Sequence, residues 1–372
     1  MMKFKSWLKE EILIEELEEL LTEAKDDKTK VGGASNNTKG VLHELLTGYH
    51  LQDGKHMASH TLVNEKTKKR ESPTEAHDRL KSQIHPEDYK KINDKAEAAA
   101  HDIKKEIQKT HPGHVIDHVH HTSKRGDTEK ETGVKATQKQ DSSDIYITSK
   151  NPKTGKVAKH GRSLKVSEHS SKNVPSSNLG MESAGEKAKE LYREHQEKIK
   201  KDNPTLTEVK KGPEHDGIED ARKEWAQKNP KEHAAIKVQN RKLLHDIAHH
   251  HAAELQYHLD SGNHEHVINH IRNVLGAHKT PAEEAGKATF KKHTTYVTSK
   301  GIQHHSSHPG KEYEHILKDH EHITVEHKSG GSVHFFHTDP KTGIKKKFAT
   351  QSHKFKSQSD PLSTVASSGK AV

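Results

Sequence analysis

The chain has 372 residues, no cysteine, 28% apolar residues and a formal net charge of +9 with its 37 histidines neutral. Without cysteine there are no disulfides and no thiolate metal sites, and no apolar run approaches the ~20 residues of a membrane span. Apolar content well below the soluble norm predicts one moderate core with long solvated helices and loops, and the positive charge points to a polyanion partner, DNA first.

The first predicted element is a helix over residues 4–24. Phe4, Trp7, Leu8, Ile12, Ile14, Leu17, Leu20 and Leu21 fall near one face with glutamates between them. It has no signal-peptide apolar stretch or small-residue cleavage site. A Gly-, Ser-, Asn- and Lys-rich linker follows, then a second helix over 39–51. Residues 64–85 read as charged and turn-like. A helix is expected over 86–109, with Pro86 in its first turn and "HPG" at 111–113 as its stop. "HVIDHVHH" at 114–121 alternates and predicts a strand, and 122–140 reads as polar loop.

"DIYIT" and "RSLKV" predict a hairpin around the turn "NPKTGK", and "SVHFFHTDPKTGIKKKFATQ" repeats the device around "DPKTG". Between them, 182–201, 218–228, 231–259 and 264–276 read as helices. Residues 357–372, "SQSDPLSTVASSGKAV", read as a loose tail. The order of elements predicts an α/β protein, or α+β, with a small mixed sheet and flanking helices.

Antiparallel pairing across "NPKTGK" brings Asp144, at the start of one strand, beside Lys165, near the end of the next. A carboxylate can hold a hard cation such as Mg²⁺ (or Mn²⁺), which polarises a phosphodiester and acidifies a bound water. A nearby lysine can orient that water and offset developing charge. Glu44, flanked by Leu42, Leu45 and Leu46 in an apolar helix, is the candidate second acid.

"SSDIYI…GRSLKV" resembles the core of the PD-(D/E)XK nuclease superfamily, over residues 37–175. The resemblance implies a restriction-endonuclease-like core, Asp144 and Glu44 as metal-binding acids, and Lys165 as the motif lysine. Ser163 stands where the family has its second strand acid. The implied activity is metal-dependent DNA hydrolysis; the alternative is a non-catalytic basic DNA-binding or internal virion protein. Residues 176–276 are then a helical insertion, and 290–356 supply strands that complete the core.

"LTEA" at 21–24 resembles the cleavage site of tailed-phage prohead proteases, and "FKSWLKEE" a head-targeting segment. That resemblance implies removal of residues 1–24, a capsid or prohead-protease partner, and a place in the host cytoplasm or virion interior. "KKKFATQSHKFK" carries five lysines and no acid, so Lys345, Lys346, Lys347, Lys354 and Lys356 are the expected DNA contacts. His245 and His249, and His266 and His270, stand four apart on helices, as a chelating pair would; a polar surface role is the alternative. No Walker loop and no G-x-S-x-G elbow is present.

Overall fold

The computed structural model describes residues 36–372 apart from 61, 63, 65, 66, 68, 123–125, 138, 139, 167–176, 214, 216 and 329. The expected helix over 4–24 and its "LTEA" site lie outside the described residues. The chain is mixed α/β, as its element order predicts. It divides into two compact units: residues up to 124 with 150–155, and residues 125–149 with 156–372. Among the described residues, no helix is long and apolar enough to cross a membrane.

The first unit holds α1 (Asn36–Leu51), β1 (Ser59–His60), α2 (Pro73–Ser82), α3 (Pro86–Thr110) and β2 (Val115–His121). Helix α2 corrects the turn-like reading of 64–85. Its start is a capping box: the Glu75 N–H donates to Ser72 Oγ at 3.2 Å, and the Ser72 N–H to Glu75 Oε2 at 2.7 Å. Pro73 at the first helical position loses no hydrogen bond there. Helix α3 buries Ala96, Ala99, Ala100, Ile103 and Ile107, one stripe at helical spacing. Leu42, Leu45 and Leu46 of α1 pack with Ala76 and Leu80 of α2 and Ala96 of α3. Strands β1 and β2 run parallel, with Ser59 opposite His120.

The second unit begins with α4 (Asp127–Thr132), a short helix inside the stretch expected to be loop. Then come β3 (Ile145–Lys150), β4 (Val157–Val166) and β5 (Ser177–Asn178), followed by α5 (Gly185–Asp202), α6 (Pro204–Thr207), α7 (Ile218–Lys228), α8 (Pro230–Asp260), α9 (His264–Leu275) and α10 (Pro281–Glu284). The chain continues through β6 (Thr289–Thr298), β7 (Gly301–Ser307), α11 (Pro309–Glu312), α12 (Glu314–Lys318), β8 (Ile323–Lys328), β9 (Ser332–Thr338), β10 (Lys345–Phe355) and β11 (Val365–Ala371).

Two sheets divide these strands. In one, the order is β3-β4-β6-β7, with β6 parallel to β4 and antiparallel to β7. The other is antiparallel, in the order β5-β11-β10-β9-β8. The strands expected over 290–356 therefore do not complete one core: β6 and β7 extend the first sheet, and β8–β10 build the second. The expected loose tail is also corrected, since 365–371 forms an inner strand of the second sheet.

Helices α8 and α9 cover that second sheet. Ala252, Leu255 and Leu259 of α8 and Val267, Ile271 and Val274 of α9 meet Val325, Val333, Phe335 and Phe348 from the strands. Each fully buried side chain of this size stabilises by about 1.5–3 kcal/mol. Gly369 of β11 is required by this packing: a Cβ there would lie 2.1 Å from the Val274 carbonyl oxygen.

The two Pro-Lys-Thr-Gly turns are built alike. Asn151 Oδ1 accepts from the Lys153 and Thr154 N–H groups at 3.0 and 3.1 Å, and Asp339 Oδ1 accepts from Lys341 and Thr342 at 2.8 and 3.1 Å. Gly155 and Gly343 close each turn at φ +69° and +68°, a region that favours glycine.

Candidate functional site

The end of the β3–β4 hairpin carries the charged residues the sequence singles out. Just before β3, the Asp144 N–H donates to the Arg162 carbonyl at 2.7 Å, which fixes the carboxylate at the mouth of the hairpin. Asp144 Oδ2 accepts from the Leu164 N–H at 2.6 Å, from Lys165 Nζ at 3.1 Å and from Ser163 Oγ at 3.2 Å. The predicted meeting of Asp144 and Lys165 is thus present. Both side chains keep partial exposure, 23% and 33%, so the pair faces solvent while its backbone anchors are buried.

Gly161 lets the strands approach here. A Cβ at this position would lie 2.4 Å from Ser143 Oγ. Ser143 belongs to a buried polar knot: its N–H donates to Asp141 Oδ1 at 3.0 Å, and the Tyr146 hydroxyl donates to Asp141 Oδ2. Burial, and then the Asp141 carboxylate, hold the Tyr146 phenol far above its ordinary range. Asp141 is therefore committed to structure.

Strand β6 adds a residue that the sequence does not mark. In the parallel register Ser163 lies opposite Lys292, and Lys165 opposite Thr294. Paired residues share a sheet face, so Lys292 stands on the same face as Ser163 and Lys165. Lys292 is buried, at 9% exposure. Burial first, and then the Lys165 charge, push its ammonium down to about 8, with Glu312 opposing.

Mg²⁺ needs several oxygen ligands, carboxylates above all. At this end of the sheet Asp144 and the Ser163 hydroxyl stand beside two lysines, with Glu312 acting on Lys292. One oxygen of Asp144 already takes three donors, and Asp141 is engaged elsewhere. This donor set does not fit a dication; it fits an anion.

Glu44, the expected second acid, lies in the first unit, on α1. Its carboxylate oxygen is 2.7 Å from Nε2 of His121 on β2, and the His121 side chain is only 3% exposed. A buried imidazole partner accounts for a carboxylate among leucines. The expected DNA-contact lysines lie on and just after β10. Lys345, Lys346, Lys347, Lys354 and Lys356 are exposed, but Lys345 is paired with Glu326 Oε1 at 2.5 Å and lies over the Phe336 ring. The phenylalanines of that stretch, Phe348 and Phe355, are buried, so they pack the fold.

The histidine pairs separate. His270 is partly buried, with Nε2 2.6 Å from Gln351 Oε1, and its helical neighbour His266 faces His258 at 4.4 Å between ring centroids. His245 and His249 are exposed, and their rings are parallel to within 11°. No protein-family model matches the chain, and neither a curated protein nor a solved structure matches it.

Proposed function

We propose that the chain binds DNA through its phosphodiester backbone, at the sheet end formed by Asp144, Ser163, Lys165 and Lys292. The observation that carries this reading is the placement of two lysines from adjacent strands on one sheet face, with Asp144 holding Lys165. A phosphate oxygen placed there takes hydrogen bonds from Lys165 and the Ser163 hydroxyl, and its charge favours the protonated form of Lys292. Asp144 orients Lys165 and offsets its charge. The net charge of +9 adds long-range attraction, which salt screens. The exposed lysines of β10 are proposed as further backbone contacts.

A second reading is a Mg²⁺- or Mn²⁺-dependent deoxyribonuclease of the PD-(D/E)XK kind. The 3.1 Å contact between Asp144 and Lys165 on consecutive strands favours it; Ser163 in place of an acid opposes it. A single experiment separates the two. Supercoiled plasmid is incubated with the full chain and with Lys165→Ala, in Mg²⁺, in Mn²⁺ and in EDTA. The phosphate-binding reading expects a mobility shift without nicking in all three, weakened in the variant. Metal-dependent nicking lost in the variant would establish the nuclease, and no shift at low salt would overturn both. The proposed phage-head setting is tested by the mass of the chain taken from particles, where an intact N-terminus overturns removal of residues 1–24.

A further inference from the structure

Helix α8 and strand β8 bring three imidazoles together on the surface of the second unit, away from the proposed phosphate site. His245 and His249 stand one turn apart on α8, with ring centroids 6.5 Å apart. His327 of β8 enters between them. Its ring lies 4.4 Å from that of His245 and 5.6 Å from that of His249, edge-on to both at 81° and 88°. His327 Nε2 is buried and has no hydrogen-bond partner. A polar atom in that condition needs an explanation, and a ligand is one.

We propose that His245, His249 and His327 form a binding site for a divalent transition-metal ion of the zinc, nickel or copper class. Imidazole nitrogen suits these ions and does not suit Mg²⁺ or Ca²⁺. The i, i+4 spacing puts two ligands on one helix face, and the strand supplies the third. Three protein ligands leave a position for water in a tetrahedral shell. As the rings stand, their nitrogens do not all lie within 4.8 Å of one another, so ion binding requires rotation; His245 and His249 are exposed, and turning their rings toward a common ion meets little packing resistance.

Asp246 Oδ1 lies 3.5 Å from His245 Nδ1, where a carboxylate orients a ligating ring. Lys328 lies near His327, and the His250 ring stands 5.8 Å from that of His249. Burial, then His245 and His249, then Lys328 lower the proton affinity of His327, which favours the neutral, ligating form at neutral pH. A bound ion ties the long helix to the edge strand of the second sheet. The site thus acts as a staple for the unit.

The test uses the full chain and Zn²⁺ or Ni²⁺ alone, followed by calorimetric titration. With 37 histidines the chain has a background of weak sites, so the control is His250→Ala, next to the cluster on the same helix. His249→Ala and His327→Ala are each expected to weaken the strongest site by at least about tenfold, since losing even an outer-shell partner costs 10–100-fold. His250→Ala is expected to leave it unchanged. Zn²⁺ is also expected to raise the thermal midpoint of the wild type but not of His249→Ala. His249 is exposed, so that variant carries the test if His327→Ala fails to fold. Equal affinity in all the proteins, or an equal loss in His250→Ala, overturns the proposal.

Discussion

Acidification from pH 8 to pH 5 is expected to remove much of the second unit's stability, through three histidines that fold in the neutral state. His251 of α8, His270 of α9 and His353 of β10 meet beneath the second sheet. His251 Nδ1 is 3.4 Å from His353 Nε2, His353 Nδ1 is 2.7 Å from Ser367 Oγ, and the His251 and His270 rings are 4.9 Å apart. Burial pushes His270 and His353 down to about 4, and His251 well below its ordinary value. Repulsion acts in the same direction, from His270, His353 and His266 at His251 and from His270 at His353, while at His270 the Gln351 hydrogen bond opposes burial and His266 reinforces it. The folded pKa lies below the unfolded value of about 6.5. The stability these groups contribute is therefore complete above about pH 6.5 and is lost as pH falls toward 4. At pH 5, His270 and His353 together forfeit about 4 kcal/mol, about 2 each. That is a large share of the ~5–15 kcal/mol typical of a domain. Urea unfolding followed by circular dichroism at pH 8, 6.5 and 5 reads the effect directly. A pH 5 loss below about 1 kcal/mol, or one that persists undiminished in a folded His270→Gln, His353→Gln double variant, refutes this role of the histidines.

Two further perturbations test separate parts of the account. Gly369→Val drives a side chain into the Val274 backbone and is expected to destabilise by about 1–3 kcal/mol, read as a lowered urea midpoint; an unchanged midpoint refutes the close approach of β11 to α9. Lys292 is charged below about pH 8, so DNA affinity at constant salt should weaken as pH rises from 7 to 9. Lys292→Met should bind more weakly at pH 7 and lose that pH dependence, measured by fluorescence anisotropy; a wild-type-like profile in the variant removes Lys292 from the site.

The hairpin end was legible because its signals are local. A Pro-Lys-Thr-Gly turn sets the register, alternation sets the face, and the two together put Asp144 next to Lys165. Glu44 stands out among leucines and so reads as a second metal-binding acid, but the partner it has is His121, 77 residues away, and no local pattern reports such a distance. Lys292 was invisible for the same reason: a parallel pairing across 129 positions leaves no trace in the spacing of "TFKKHTTY". The C-terminal stretch misled by composition. Serine and glycine usually mark loops, yet here small residues are what a strand needs where α9 crosses it. The buried histidines read as polar surface because the residue type is polar; only tertiary contact shows them neutral and enclosed.

The inner position of β11 has a consequence for how the chain is made. Strand β5, at 177–178, pairs with β11 at 368–369, and β10 pairs with β11 along seven positions. Helices α8 and α9 and strands β8–β10 all precede in sequence the strand that closes their sheet. Until residues 365–371 arrive, β10 presents an open hydrogen-bonding edge, the kind of surface that recruits other chains. A chain cut just before residue 365 is expected to self-associate far more readily than one that carries β11.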